Sequence, residues 1–236
     1  MDKMKKIVLN QKSYLMYDEI VKFKSEIEKI KTNDKYELVL YPSIEYLSLF
    51  KDSKISIGTQ NFFSVKSGSF TGEVNIEALK DMNINYTMIG HFERRKIIGE
   101  TYETMKEKLY KSLSSKCNTI LCLGEDSKLK KDTSFVKKEL KFYLRSLETS
   151  SLKYLTICYL PSHALDEASK SIDRISKVVE YIKNYFSSKY KIDISVIYGG
   201  NIENSNIKEI FDICDGIMFD TQSNDIKLVK ELLKEI

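Results

Sequence analysis

The chain has 236 residues and an almost balanced charge, with 38 basic and 34 acidic side chains and a net charge of +4. This length is close to the roughly 250 residues of a typical β/α barrel, and no Pro-, Gly- or Ser-rich linker divides it, so we expect one domain spanning 1–236. The opposite charges alternate along predicted helices and form no one-sided basic stripe with stacking aromatics. This pattern excludes the usual nucleic-acid-binding surface, and we expect no nucleic-acid partner.

The sequence also argues against a membrane protein and against a metal site. No apolar run approaches the roughly 20 residues of a membrane span, and no secretory signal core precedes the first predicted strand, so we expect a cytoplasmic protein without a membrane partner. The four cysteines lie in apolar segments and include no Cys-x-x-Cys pair. They are Cys117, Cys122, Cys158 and Cys214. We interpret them as buried free thiols and expect neither a metal nor another cofactor.

Short apolar runs typical of buried strands alternate with amphipathic segments along the whole chain. The predicted strands are Lys6 to Asn10, Tyr36 to Tyr41, Lys54 to Gln60, Tyr86 to Gly90, Cys117 to Leu123, Tyr154 to Tyr159, Ile192 to Tyr198 and Gly216 to Phe219. The predicted helices are Tyr17 to Lys31, Ile76 to Met82, Thr101 to Ser115, Ser134 to Leu147 and Ser169 to Phe186. This order indicates parallel strands with right-handed crossovers, in an open sheet or a closed barrel. Eight units in this length, without a Gly-x-Gly-x-x-Gly turn after the first strand, favour a single (β/α)8 barrel of the α/β class.

Candidate functional residues follow the first and fourth predicted strands, because β/α barrels place their active sites at the carboxyl ends of the strands. Asn10 and Lys12 fall on the same side of the first strand, and Lys12 could supply a cation, although its position alone favours an ordinary surface lysine. The fourth strand is followed by His91 and Glu93. His91 is one of only two histidines. At a candidate helix amino terminus it is well placed to polarise a carbonyl group.

Several motifs together resemble one enzyme family. The segments at 68–74, 86–95 and 99–100 are GSFTGEV, YTMIGHFERR and GE. They resemble the signature stretch of triosephosphate isomerase, and Asn-x-Lys at 10–12, Gln-Asn at 60–61, Cys-Leu-Gly-Glu at 122–125 and Tyr-Gly-Gly at 198–200 agree with it in order. The resemblance covers essentially the whole chain. It implies a barrel enzyme that interconverts glyceraldehyde 3-phosphate and dihydroxyacetone phosphate.

The resemblance also implies a role for each matching residue. Lys12 would stabilise negative charge on an enediolate, His91 would act as electrophile and proton shuttle, and Glu93 would support the site. Asn10 would help to position a small sugar phosphate or related anion.

Two further matches concern the substrate and the partner. Gly199 and Gly200 would contribute to substrate binding. The loop from Gln60 to Val74 resembles the protruding loop that docks Thr71 into the active site of a second subunit, which implies a homodimer.

The sequence departs from the family at the general base. In the family this base is a glutamate in a Tyr-Glu-Pro step that closes the sixth strand, whereas Leu160 stands in that step here. Leucine cannot accept a proton, and a positioned general base contributes about 10² to 10⁴ in rate. His163, Asp166 and Glu167 follow in the lid segment, but each lies several residues beyond the base position.

The elements that bind phosphate depart from the family as well. The family's lid contains glycine, but no glycine occurs between Gly124 and Gly199. The glycine pair after the eighth strand aligns with Asp220 and Thr221, and the serine after the seventh strand aligns with Asn201.

Three functions therefore stay open at this point: an impaired triosephosphate isomerase homologue with a degenerate active site, an active aldose-ketose isomerase with an unusual base or another small sugar substrate, and a non-catalytic ligand-binding or dimeric interaction protein.

Overall fold

The computed structural model describes residues 4–31, 34–65, 67–125, 133–161 and 171–236. Within them, eight strands form a closed barrel in chain order. The strands are β1 (Lys5–Asn10), β2 (Tyr36–Tyr41), β3 (Ser56–Thr59), β4 (Tyr86–Ile89), β5 (Asn118–Leu123), β6 (Leu155–Tyr159), β7 (Ser195–Tyr198) and β8 (Gly216–Phe219). Neighbouring strands pair in parallel, and β8 closes the barrel against β1. The predicted barrel and its eight strands are confirmed, with small shifts at the strand ends.

Helices follow the strands on the outside of the barrel. They are α1 (Tyr17–Ile27), α2 (Ile76–Asp81), α3 (Phe92–Lys96), α4 (Tyr102–Ser114), α5 (Ser134–Tyr143), α6 (Ile172–Tyr190), α7 (Ile207–Ile213) and α8 (Ile226–Leu232). The five predicted helices are confirmed, although the predicted start at Ser169 lies outside the described residues. The sequence places a candidate helix start at His91 without giving bounds for α3, and it predicts no helix at α7 or α8. These three helices have five to seven residues, and so few residues define a helical period poorly, although the equally short α2 is predicted. A 3₁₀ helix at Ile44–Phe50 connects β2 to β3.

Two hydrophobic layers hold the barrel together. One lies between the strands and the surrounding helices. The other fills the barrel interior with side chains such as Val8, Tyr41, Met88 and Met218, which are all buried. Because this interior is packed, polar side chains after the strands are held at the mouth of the barrel.

The four cysteines are buried and free, as predicted. In the ranges that the structure describes, none of the helices combines the length and apolar character needed to cross a bilayer.

Candidate active site

The carboxyl end of β1 brings Asn10 and Lys12 to the mouth of the barrel. Asn10 is the last residue of the strand and is buried. Lys12 has a backbone φ of +54°, a left-handed conformation that costs a non-glycine residue roughly 1–2 kcal/mol. The side-chain Nε2 of Gln60 donates hydrogen bonds to the carbonyl oxygens of Lys12 at 2.8 Å and Tyr41 at 3.0 Å. Gln60 therefore holds the strained backbone that aims the lysine side chain.

His91 caps the amino terminus of α3 directly after β4. Gly90 allows this sharp turn because its φ is +75°, and a Cβ there would lie 2.1 Å from Met105 Cε. The Nδ1 atom of His91 lies 3.4 Å from the backbone N–H of Glu93 and 3.5 Å from the Glu93 carboxylate. We assign Nδ1 as the acceptor of the backbone N–H, which leaves the proton of the neutral ring on Nε2. The Nε2–H group then points away from α3 and into the site.

An ion pair links the ends of β1 and β4. Lys12 Nζ lies 2.6 Å from Glu93 Oε1 and 3.5 Å from Asp220 Oδ2, and the lysine side chain is only 15% exposed. Burial favours the neutral amine, but the two carboxylates outweigh this effect and raise the pKa of Lys12 above its ordinary value. Lys12 is therefore a fixed ammonium group at neutral pH.

The carboxylate of Asp220, the residue directly after β8, is the unexpected member of the site. Asn10 Nδ2 donates to its Oδ1 atom at 2.8 Å, and His91 Nε2 lies 3.3 Å from the same oxygen. Burial opposes ionisation of Asp220, but the hydrogen bond from His91, the charge of Lys12 and the Asn10 amide together lower its pKa below the ordinary value. The sequence resemblance pairs Asp220 with a family glycine, but it predicts no contact for the aspartate side chain. Only the structure aims its side chain inward.

Next to these side chains lies a cavity of about 550 Å³, lined by Asn10, Lys12, His91 and Glu93 among others. Gly199 and Gly200 do not line it. Both glycines have a packing reason: a Cβ on Gly200 would lie 1.9 Å from Tyr198 Oη, and one on Gly199 would lie 2.6 Å from Met218 Cε. The structure thus brings four of the six predicted site residues around one cavity.

Leu160 follows β6 and is completely buried among the side chains of the barrel interior. Its backbone N–H donates to the Leu123 carbonyl oxygen at 2.7 Å, and its Cδ1 atom would lie 3.2 Å from a Cβ on Gly199. The position is thus fixed and apolar. His163, Asp166 and Glu167 lie outside the described residues. Among the described residues, no cluster of three His, Cys, Asp or Glu side chains is arranged to hold a metal.

Comparison with known proteins identifies the family. The family model of triosephosphate isomerase matches residues 5–235. The chain belongs to the triosephosphate isomerase family. It is 27% identical to the triosephosphate isomerase of Mycoplasma genitalium over 238 residues, which cover 97% of each chain. It is 32% identical to that of Alkaliphilus metalliredigens over 204 residues, which cover 81% of this chain and 82% of the relative. It is 35% identical to that of Campylobacter concisus over 185 residues, which cover 75% and 77%.

Family membership confirms the resemblance seen in the sequence and leaves two residues for the structure to explain. Gln60 belongs to a segment that resembles triosephosphate isomerase, and the structure connects it with the site through its hydrogen bonds to Lys12 and Tyr41 and through its place in the cavity lining. Asp220 carries three side-chain contacts, to Asn10, Lys12 and His91. No local pattern in the sequence predicts either set of contacts, because the partners come from other strands that are distant in the chain.

Proposed function

We propose that this chain is a triosephosphate isomerase homologue in which the interconversion of glyceraldehyde 3-phosphate and dihydroxyacetone phosphate is strongly impaired. The observation that carries the proposal is the buried Leu160 at the end of β6. The reaction moves a proton from the hydroxyl-bearing carbon atom next to the carbonyl group to the carbonyl carbon atom, so it requires a base. The family's base is the glutamate that Leu160 replaces.

The electrophilic half of the proposed site is well assembled. Removing a proton next to a carbonyl group places negative charge on the carbonyl oxygen, and preformed N–H donors in a buried site stabilise such charge. Three donors lie within hydrogen-bond or ion-pair distance of the Asp220 carboxylate: Asn10 Nδ2 and His91 Nε2 approach its Oδ1 atom, and Lys12 Nζ approaches its Oδ2 atom. Glu93 holds Lys12 in place through the 2.6 Å contact. These contacts support binding and polarisation of a small carbonyl compound.

The proton-transfer half sets the size of the impairment. A positioned general base typically increases the rate by about 10² to 10⁴, which corresponds to about 2.7–5.4 kcal/mol of transition-state stabilisation. Two carboxylates in contact with the donors, those of Glu93 and Asp220, are both engaged by Lys12, and a third, that of Glu73, lines the cavity on an exposed residue. The lowered pKa of Asp220 makes that carboxylate a weaker base, and Glu93 is occupied by its 2.6 Å contact with Lys12, so we assign neither Asp220 nor Glu93 to proton abstraction.

One observation favours a second candidate function, an active aldose-ketose isomerase that uses another base or another small sugar. The ionised Asp220 lies 3.3 Å from His91 Nε2, which places a carboxylate and an electrophile in the same site. If Asp220 were the base, the Asp220→Asn variant would lose activity that the parent has. A panel of small aldoses, ketoses and their phosphates would identify the substrate.

The deciding experiment is a coupled assay of glyceraldehyde 3-phosphate isomerisation with the purified chain at high concentration. We expect any turnover to come from a contaminating host isomerase. The parent and the His91→Ala variant should then show the same low rate, because both preparations carry the same background. Activity in the parent that disappears in His91→Ala would contradict the impairment and show that another group serves as the base.

A further inference from the structure

The donors that converge on Asp220 form a ready-made oxyanion site, and the protein fills it with its own carboxylate. Asn10 Nδ2 and His91 Nε2 approach Oδ1 at 2.8 and 3.3 Å, and Lys12 Nζ approaches Oδ2 at 3.5 Å. The three donors come from two strand ends on different sides of the barrel mouth. Their convergence on both oxygens of one side chain is the arrangement that a bound carboxylate or enediolate would show.

We infer that Asp220 determines the ligand class of the site: its carboxylate excludes anionic ligands, including phosphate esters, and leaves the site to small uncharged hydroxycarbonyl compounds. The inference rests on the proposed function, because it takes Asn10, Lys12 and His91 as the ligand-binding donors. It goes further in assigning a specificity-determining role to a residue outside the family pattern.

The balance of charge supports exclusion of anions. Lys12 is shared between Glu93 at 2.6 Å and Asp220 at 3.5 Å, so two carboxylates surround one ammonium group. With a neutral His91 ring, the side chains of Lys12, Glu93, Asp220 and His91 together carry a net charge of −1. A second anion about 4 Å from the Asp220 carboxylate would bind about fivefold more weakly in a water-like medium, and nearly a thousandfold more weakly at an effective dielectric constant of about 20.

The backbone of Asp220 is anchored and its carboxylate is held by Asn10, Lys12 and His91, so we expect the carboxylate to stay in the site. Both the backbone N–H and the side-chain Oγ of Ser223 donate to the Asp220 carbonyl oxygen, at 2.8 and 2.5 Å. Ser223 is itself fully buried in the 3₁₀ helix Thr221–Asn224. A ligand that enters must therefore accept Asp220 as a neighbour.

An unpartnered acceptor points to a hydroxyl-bearing ligand. Asn10 is buried, and its Oδ1 atom has no hydrogen-bond partner among the described residues. The amide cannot be turned over without facing this oxygen toward the Asp220 carboxylate, so the assignment of its two ends follows from the contact with Oδ1. A buried acceptor without a donor is unfavourable, and a ligand hydroxyl group would satisfy it. Phosphate esters of small sugars and uncharged hydroxycarbonyl compounds both carry such a hydroxyl group, so this acceptor indicates a hydroxyl-bearing ligand, and the charge of Asp220 is what selects between the two classes.

The test is a calorimetric titration with two probes of similar size, glycerol 3-phosphate as the anion and dihydroxyacetone as the uncharged ligand. The variants are Asp220→Asn, which keeps the shape and removes the charge, and Asp220→Gly, which removes both. Glu45→Gln is the matched control, because it removes one negative charge from an exposed residue next to cavity residue Ile44. Circular dichroism and thermal melting confirm that each variant is folded.

We expect the parent to bind dihydroxyacetone at least as tightly as glycerol 3-phosphate. Both Asp220 variants should bind glycerol 3-phosphate at least about tenfold more tightly than the parent, equal to about 1.4 kcal/mol, and the control should match the parent. Unchanged affinity in Asp220→Asn would overturn the inference. A gain confined to Asp220→Gly would also overturn it, because bulk rather than charge would then be responsible.

These results are independent of turnover. Isomerase activity in the parent would contradict the proposed impairment and leave the affinity ratios to be judged on their own. Conversely, equal affinities would remove the role of Asp220 and leave the absence of the family's base unaffected.

Discussion

Replacing Leu160 with glutamate tests whether the missing base limits isomerisation. The matched control is Leu160→Gln, because glutamine is nearly the same size as glutamate and is also polar but cannot accept a proton at neutral pH. If the electrophilic residues still work, the glutamate variant should exceed the glutamine variant in kcat/KM by about 10²-fold or more, the lower limit of a positioned general base. That factor corresponds to about 2.7 kcal/mol of activation free energy.

The same substitutions should cost stability, because Leu160 is completely buried in the apolar barrel interior. Loss of a fully buried leucine side chain costs about 1.5–3 kcal/mol, which corresponds to a fall in Tm of about 3–12 °C for a chain of this size. Burial should also raise the pKa of the new carboxyl group. The activity of Leu160→Glu should therefore increase with pH over a range where Leu160→Gln stays constant.

The assay is the coupled conversion of glyceraldehyde 3-phosphate, with kcat and KM measured separately across the pH range and with His91→Ala added to each background. Adding Asp220→Gly to Leu160→Glu should lower KM, because the repulsion between Asp220 and the phosphate group of the substrate would be removed. Equal activity of Leu160→Glu and Leu160→Gln, with both folded, would refute the argument that position 160 is the missing base. An unchanged KM on adding Asp220→Gly would refute the electrostatic part.

Two other predictions concern assembly and pH. We propose that the chain forms a homodimer through the loop at 60–74, and that Ile97 and Ile98, which are 75% and 65% exposed at the cavity, pack against the partner. Light scattering should give twice the 27.5 kDa of one chain, and Ile97→Asp should shift the protein to a monomer. A parent that is monomeric at all concentrations would contradict the proposal. Because folding lowers the pKa of Asp220, which faces Lys12 and His91, its ionised form stabilises the folded chain above the ordinary pKa, and this contribution is lost as the pH falls through the lowered value. The stability advantage of the parent over Asp220→Asn in urea unfolding should therefore shrink below about pH 4, and an advantage that stays constant to the acid limit would refute the assignment.

Much of the fold could be predicted because its signals are local. Each strand is a short apolar run buried on both faces, and the longer helices repeat apolar residues at helical spacing. The short α7 and α8, and the 3₁₀ helix at Ile44–Phe50, could not be predicted, because packing against the barrel stabilises them more than their own sequences do.

The candidate site divides in the same way. His91 and Lys12 could be proposed from the sequence because barrel topology places the residues after each strand at one rim. The 2.6 Å pair between Lys12 and Glu93 and the hold of Gln60 on the Lys12 backbone could not be predicted, because each joins segments far apart in the chain. Gly199 and Gly200 show the reverse case. Their motif suggested binding, and the structure adds a packing reason for their lack of side chains.

The sequence by itself determined the eight-unit barrel and the family resemblance, and it led to the proposal that Leu160 stands in place of the family's base. These features depend on residue identity, order and short-range periodicity, which need no coordinates. Only the tertiary structure decided where the Asp220 carboxylate points. That direction depends on the closure of β8 against β1 and on donors supplied by Asn10, Lys12 and His91. These donors come within 2.8–3.5 Å of the carboxylate only when the barrel closes.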